Sequence, residues 1–171
     1  MTARYHVKRV PEVHLDGAYI EGDSFDKCGV FAYLTAAADT TCTLKDTYYP
    51  IAGTFTNSPI EGFTTTAGPP PGIVYACDED RTMEIDWHAS VVLSTGNDTV
   101  HVAVLKNGTE VASSVMGTYV TTLVLQMSGT CAIEMTEDDV ITLAVRSGAD
   151  GTVITFAHFT TTINKFFIAA S

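Results

Sequence analysis

The chain alternates apolar and polar residues with a period of two along several consecutive segments of its second half. The longest segment, 83–93, places six apolar residues on one face: Met83, Ile85, Trp87, Ala89, Val91 and Leu93. Shorter segments with the same alternation follow at 100–105, 123–127, 141–146 and 154–157. Because successive side chains of a β-strand point to opposite faces, each segment is typical of a strand with one face in a core. Such strands bury their apolar faces against another sheet, which favours a β-sandwich.

Turn-forming residues separate these segments. Asn107-Gly108 is the strongest hairpin signal, because a type I′ turn needs two consecutive residues with positive φ. Ala67–Gly72 (AGPPPG) is predicted to be a loop, since consecutive prolines cannot donate hydrogen bonds to a sheet. We predict about eight to ten strands and no helix, arranged as an all-β fold that is either a β-sandwich or a jelly-roll β-sandwich.

The first quarter of the chain has a different character. Residues 1–45 lack sustained periodicity, and Cys28–Ala38 fits either a short helix or a strand. We interpret 1–45 as an extended N-terminal arm and linker, ordered in part by contact with a partner. The jelly-roll domain is predicted to occupy 46–171. A chain of this size buries roughly 70% of its unfolded surface and needs no disulfide to fold.

Charge is distributed unevenly along the chain. The net charge is −11: residues 1–45 contain five basic and six acidic residues, and 46–171 contain four and fourteen. The body should therefore repel nucleic acid and anionic membranes, and we predict neither as a partner. No stretch of about 18 apolar residues occurs, so no transmembrane helix is expected. With 46% hydrophobic and 17% charged residues, the composition indicates surplus apolar surface and hence an oligomer interface.

Few residues in the sequence are candidates for a catalytic or metal-binding site. His88 and His101, on strands predicted to be neighbours, are weighed as a metal pair, but isolated strand histidines are more often exposed or hydrogen-bonded. The acidic turns Asp78–Asp80 and Glu137–Asp139 are weighed as a catalytic carboxylate pair or a calcium site. Motifs of nucleophilic hydrolases, zinc proteases and phosphate-binding loops are absent from the sequence. We predict no catalytic residue, no metal, no cofactor and no enzymatic activity; a jelly-roll hydrolase or isomerase is the enzymatic alternative.

The order of the segments resembles the jelly roll shared by tumour necrosis factor and the globular head of the first complement component. The matching pieces are Met83–Leu93, Val102–Val111 (VAVLKNGTEV), Leu123–Met127, Thr136–Val140 and Ile141–Arg146. The resemblance covers roughly residues 46–168 and lies in order and spacing rather than in identical residues. One departure is that Glu137 or Asp138 replaces the glycine usual in the acidic turn.

The same jelly roll, preceded by a short arm, is common in tailed-phage virion proteins, where a segment like Thr47–Thr56 (TYYPIAGTFT) opens the domain. That family includes head decoration (cement) proteins and fibre tips, usually trimeric. With a short arm and no long shaft, the chain is more similar to a decoration protein. The resemblance implies a homotrimer on the outer capsid surface of the virion, made in the host cytoplasm, with the major capsid protein as partner. The alternative is a receptor-binding tip of a tail or fibre, with specificity in the loops Gly68–Gly72 and Val115–Thr121.

Two sets of residues are predicted to make these contacts. In the arm, basic groups can pair with capsid acids and apolar groups can extend a sheet edge. The predicted capsid-binding residues are Arg4, Tyr5, His6, Val7, Lys8, Arg9, Val10, Val13 and Leu15. A trimer would hide apolar sheet faces and edges around a threefold axis. The predicted trimer contacts, placed on faces opposite the core, are Val92, Leu105, Tyr119, Val124 and Phe159.

Overall fold

The computed structural model describes residues 29–57, 62–66, 72–94, 97–120 and 124–165. The strands in these ranges are β1 (Gly29–Leu34), β2 (Ala38–Cys42), β3 (Tyr49–Pro50), β4 (Phe55–Asn57), β5 (Phe63–Thr65), β6 (Ile73–Tyr75), β7 (Arg81–Leu93), β8 (Asp98–Lys106), β9 (Thr109–Glu110), β10 (Met116–Val120), β11 (Leu125–Met135), β12 (Val140–Ser147) and β13 (Thr152–Lys165). A 3₁₀ turn covers Ala112–Ser114. No helix among the described residues is long and apolar enough to cross a membrane.

The strands form two antiparallel sheets packed as a jelly-roll β-sandwich. The first sheet has the order β11-β7-β13-β1-β4, with β2 also paired to β13. The second has the order β10-β8-β12-β6-β5, with β3 paired to β12 and β9 paired to β8. Chain-consecutive strands such as β7 and β8 lie in different sheets, so the chain crosses repeatedly between them. The predicted fold class is confirmed.

The core between the sheets is built on large aromatic side chains. Trp87 and Phe159 stack with ring centroids 6.2 Å apart and an interplanar angle of 11°. Phe156 meets Phe159 edge to face at 5.9 Å, and all three rings are completely buried. Burying an aromatic side chain contributes about 1.5–3 kcal/mol from area alone. The two halves of the aromatic core come from β7 and β13, which pair along most of their lengths.

One predicted interface residue belongs to this core. The prediction placed Phe159 on the outer face, and that placement is wrong, because the side chain is completely buried. The register of β13 against β7 shifts between Phe156 and His158, which marks a β-bulge. The bulge inserts one residue and reverses the alternation beyond it, so Phe159 points inward with Phe156.

The sandwich also begins earlier than the predicted boundary between residues 45 and 46. Strand β1 pairs with β13 on one side and β4 on the other, and β2 pairs with the other end of β13. The segment left open as helix or strand is therefore a strand inside the first sheet. Residues 1–28 of the predicted arm lie outside the described residues.

The predicted hairpin at Asn107-Gly108 is present. Both residues have positive φ, 51° and 78°, as a type I′ turn requires. The Asn107 amide group donates to Asp139 at 2.6 Å, and its oxygen accepts from the Val140 amide at 2.8 Å. Asp139 also accepts from the Thr136 amide at 2.7 Å. The hairpin and the acidic turn are thus tied together at one end of the second sheet.

Two of the cysteines, Cys42 and Cys131, carry free thiols. Cys42 and Cys131 are buried, and Cys77 is half-buried. Burial raises the pKa of Cys42 and of Cys131 to about 11. These thiols are therefore protonated at neutral pH and are poor nucleophiles or metal ligands.

Candidate interaction surfaces

The first sheet turns a broad face of aromatic and hydroxyl side chains away from the core. Across this outer face, Tyr33 lies opposite Thr160, Thr160 opposite His88, and His88 opposite Ser128. A second row joins Phe31, Thr162, Asp86 and Thr130 in the same way. Directly opposed residues of antiparallel strands share a face. The first row carries no carboxylate, lysine or arginine, and the second row carries one carboxylate, Asp86.

An aromatic pair stands at one side of this outer face. In β1, Val30, Ala32 and Leu34 point into the core, so Phe31 and Tyr33 point outward. Each keeps 39% of its surface exposed, and the two ring centroids lie 5.9 Å apart. Exposed aromatic side chains on the outer face of a sheet favour burial against another protein.

Carboxylates border the outer face at the end where β7 begins. Glu84 and Asp86 project from β7 and are half-buried, while Glu134 projects from β11 and is exposed. Glu84 lies opposite Ala132, two residues from Glu134. Negative charge is thus concentrated at one end of the β7–β11 pair, where a basic segment would be attracted.

The outer face of the second sheet carries a different cluster, formed by Tyr48, His101 and Arg146. The Arg146 guanidinium lies 5.0 Å from the centre of the Tyr48 ring, within the range of a cation–π contact. His101 lies opposite both Arg146 and Gly117, and a Cβ at Gly117 would be 2.3 Å from the imidazole. The missing side chain at Gly117 therefore leaves the space that the His101 ring occupies.

The electrostatics of this cluster follow from its burial. Burial lowers the pKa of His101, and the positive charge of Arg146 lowers it further. The negative charges of Asp46, Glu110 and Asp98 raise this pKa but do not outweigh the two other effects. Burial also raises the pKa of Tyr48 to about 12, although the Arg146 charge opposes that rise. His101 Nδ1 and Arg146 Nε are buried, and neither has a hydrogen-bond partner among the described residues. The cluster is neutral at His101 and positive only at Arg146 near pH 7.

The predicted trimer contacts do not form a single surface. Val92 is half-buried on the outer face of the first sheet, opposite Thr155. Leu105 and Tyr119 belong to the second sheet, and Leu105 is only 9% exposed. Tyr119 and Val124 are 60% and 59% exposed. Apart from the buried Phe159, these residues lie on different sides of the sandwich, which alternation alone could not reveal.

The sequence analysis missed the aromatic pair Phe31 and Tyr33. The signal was available, since Val30, Ala32 and Leu34 alternate with them. Gly29 and Thr35 at the ends of this segment left helix and strand both open, so its two faces were not assigned. The nine predicted capsid-binding residues, from Arg4 to Leu15, lie outside the described residues.

The histidine pair considered as a metal site is separated by the fold. His88 lies on β7 in the first sheet and His101 on β8 in the second, so the expectation of neighbouring strands is wrong. The two strands are consecutive in the chain, but the connection between them crosses from one sheet to the other. Within the described ranges, no group of three or more His, Cys, Asp or Glu side chains is arranged to hold a metal ion.

Comparison with known proteins identifies the architecture and no family. No protein-family profile matches the chain, and no curated protein matches its sequence. Among solved structures, Eiger TNF from S. frugiperda is 11% identical with a TM-score of 0.50, over 85% of this chain and 97% of that one.

Two further solved structures are similar at lower TM-scores. The globular domain of zebrafish complement 1qA protein is 9% identical with a TM-score of 0.46, over 84% of this chain and 100% of that one. The PRD1 vertex protein P5 is 15% identical with a TM-score of 0.35, over 83% of this chain and 99% of that one. The protein has the jelly-roll fold seen in Eiger TNF.

Proposed function

We propose that this chain is a structural virion protein: a phage capsid decoration (cement) protein that binds the assembled head as a homotrimer and stabilises it. The observation that carries the proposal is the outer face of the first sheet, where the aromatic pair Phe31 and Tyr33 is exposed, each side chain at 39%. Such a face supports self-association rather than chemistry. The phage assignment rests on the resemblance of Thr47–Thr56 and the segment order to phage jelly-roll proteins.

In this proposal the protein acts through binding free energy alone. A protein that binds the assembled lattice but not separated subunits stabilises the lattice by mass action. The major capsid protein is the partner, and the outer capsid surface is the location. The arm segment Arg4–Val10 supplies basic side chains, although the net charge of the whole chain is −11. These basic groups suit an acidic surface on the partner.

The trimer in this proposal is formed by the outer face of the first sheet. Closing three such faces around an axis would bury the aromatic pair of each subunit. A specific interface buries about 800 Å² of each partner, which a face of four long strands can supply. The cluster around Arg146 lies on the other sheet and would remain outside this contact.

Deletion of residues 1–20 tests the assignment of the arm. The truncated protein is expected to unfold cooperatively and to sediment as a trimer, but not to bind purified heads. A matched variant that replaces only Arg4, Lys8 and Arg9 by glutamine tests the charge contribution and should bind heads weakly. A truncated protein that coats heads as well as the full chain would refute the role of the arm.

A second candidate function is a receptor-binding tip of a tail or fibre. The observation that favours it is Tyr119, which is 60% exposed on β10 of the second sheet. Exposed tyrosines on or beside loops are common in recognition surfaces because they bury a large area at low entropic cost. This function predicts binding to host cells that is lost in Tyr119→Ala, and only a few copies of the chain per particle.

A further inference from the structure

Strand β11 presents a long free edge. It pairs with β7 over eleven consecutive residues, from Leu125 opposite Val91 to Met135 opposite Arg81. Within the part of the chain that the structure describes, no other strand pairs with β11. The ammonium of Lys106 donates to the Glu134 carbonyl at 2.7 Å and covers the far end of the edge. Among the described residues, no backbone group of another element hydrogen-bonds to the groups of 125–133 that point away from β7.

This edge lacks the features that usually prevent edge-to-edge pairing. Natural edge strands are protected by proline, lysine, bulges or short length. The sequence of β11, LQMSGTCAIEM, contains neither proline nor lysine, and its register against β7 shows no shift. Its one charged residue, Glu134, is at the end that Lys106 already covers. A regular edge of this kind is suited to accept an additional strand.

A groove runs beside the middle of this edge. Its volume is about 400 Å³, and it is lined by Asp86, His88, Met116, Ser128, Gly129 and Thr130. Met116 supplies an apolar wall and is 47% exposed. Asp86 supplies a carboxylate on the opposite side. An occupant should therefore be an extended segment with apolar side chains on one face and basic ones on the other.

The N-terminal arm of the same chain has these properties. Tyr5 and Val7 alternate with His6 and Lys8, so an extended conformation would place them on opposite faces. The first ten residues contain the basic residues Arg4, Lys8 and Arg9 and no acidic residue. Their positive charge is complementary to the carboxylates beside β11. Proline does not occur until residue 11, so every backbone N–H of 5–10 can donate to a strand.

The arm is also long enough to reach the edge. The described chain starts at Gly29, which lies opposite Asn164; Asn164 lies opposite Glu84, and Glu84 opposite Ala132 of β11. Gly29 is thus three strand spacings from β11, about 14 Å. The 28 residues before it could span up to about 90 Å when extended. Fewer than ten residues are needed for the crossing.

We propose that Tyr5–Val10 of the arm adds to the free edge of β11 in the same molecule and extends the first sheet. Tyr5 and Val7 would face Met116, and His6 and Lys8 would face Asp86. This inference concerns the free protein and does not depend on the capsid partner. Its test uses purified full-length chain without heads, so its failure is distinguishable from failure of the proposed function.

Hydrogen exchange of the β11 amides tests the inference. In the full-length chain, β11 amides that do not bond to β7 should exchange slowly. In Val7→Pro, which removes one N–H and disfavours an extended partner strand, they should exchange at least about tenfold faster. Val7→Thr is the matched control, because threonine is β-branched and keeps the N–H; its exchange should equal that of the full-length chain.

Two results would overturn the inference. The first is that the β11 amides that do not bond to β7 exchange equally fast in the full-length chain, in Val7→Pro and in Val7→Thr. The second is protection that disappears on tenfold dilution, because an intramolecular strand is insensitive to concentration. Protection that persists on dilution and is lost only in Val7→Pro supports the addition of the arm to its own β11.

Discussion

Gly129 lies directly opposite Trp87 in the β11–β7 pair, and the indole occupies the space that a side chain at Gly129 would need. A Cβ at this position would be 2.7 Å from two carbon atoms of the ring. Trp87 cannot move away easily, because it is completely buried and stacked on Phe159. The glycine is therefore a packing requirement of the aromatic core.

We expect Gly129→Ala to destabilise the fold by about 1–3 kcal/mol, the usual cost of forcing extra volume into a packed core. Urea denaturation followed by tryptophan fluorescence measures the change. Ser128→Ala is the control, since Ser128 is exposed on the same strand and should change stability little. Equal stability of Gly129→Ala and the unmodified protein would show that the indole relaxes freely.

Asp139 should make stability depend on pH in the acid range. Burial alone would raise its pKa, but hydrogen bonds from Lys106, Thr136 and Asn107 outweigh that effect and lower the pKa to about 2. Lys106 Nζ lies 2.7 Å from its carboxylate. Because the pKa is lower in the folded state, the ionised carboxylate stabilises the fold above pH 4, and this contribution is lost as the pH falls from about 4 to 2.

Asp139→Asn is expected to lower stability at pH 7 by about 2 kcal/mol, the typical loss for hydrogen bonds to a charged group. The difference from the unmodified protein should shrink between pH 4 and pH 2. Glu137→Gln, an exposed substitution in the same turn, is the control and should change stability little at pH 7. A constant difference across this pH range would contradict the assigned pKa.

His101 should affect stability near neutral pH. Burial and the Arg146 charge lower its pKa, so the folded state favours the neutral imidazole. The unfolded state takes up a proton near pH 6.5, and the contribution of His101 to stability is therefore full above that pH and declines below it.

His101→Gln should remove this part of the pH dependence while keeping a side chain of similar length over Gly117. Thermal unfolding at pH 8 and pH 5.5 measures it: the unmodified protein should lose more stability between the two values than the variant. His88→Gln, at an exposed histidine, is the control. An identical loss in all three proteins would rule out His101 as the titrating group.

The first sheet should supply the trimer contact. Tyr33→Lys places a charge beside Phe31 on the outer face, where it would be buried by a neighbouring subunit at a cost of several kcal/mol. Analytical ultracentrifugation should show the unmodified protein as a trimer and this variant as a monomer. Tyr119→Lys, at an exposed tyrosine on the other sheet, should stay trimeric. If Tyr119→Lys dissociates and Tyr33→Lys does not, the interface lies on the second sheet.

The local sequence pattern was sufficient to predict much of the fold. The alternation in 83–93 placed six apolar residues of β7 in the core, and Asn107-Gly108 set the hairpin. These features depend only on near neighbours in sequence, through the period of a strand and the φ values of a turn. The all-β class followed from their repetition, and the jelly-roll assignment followed from the resemblance in segment order.

The errors concern features that local pattern does not contain. The bulge at Phe156–His158 reversed the predicted face of Phe159, and a bulge is invisible to a strict period of two. Leu105 was predicted to be an available contact on an outer face, yet only 9% of it is exposed. His88 and His101 were expected on neighbouring strands, which only the topology could decide.

The copy number of this chain in purified virions tests the central claim most directly. Quantitative mass spectrometry against the major capsid protein gives the ratio of the two chains. A decoration protein that covers the head should be present at a ratio comparable with that of the capsid protein. A few copies per particle, or none, would contradict the decoration role, and a few copies would instead support the fibre-tip alternative.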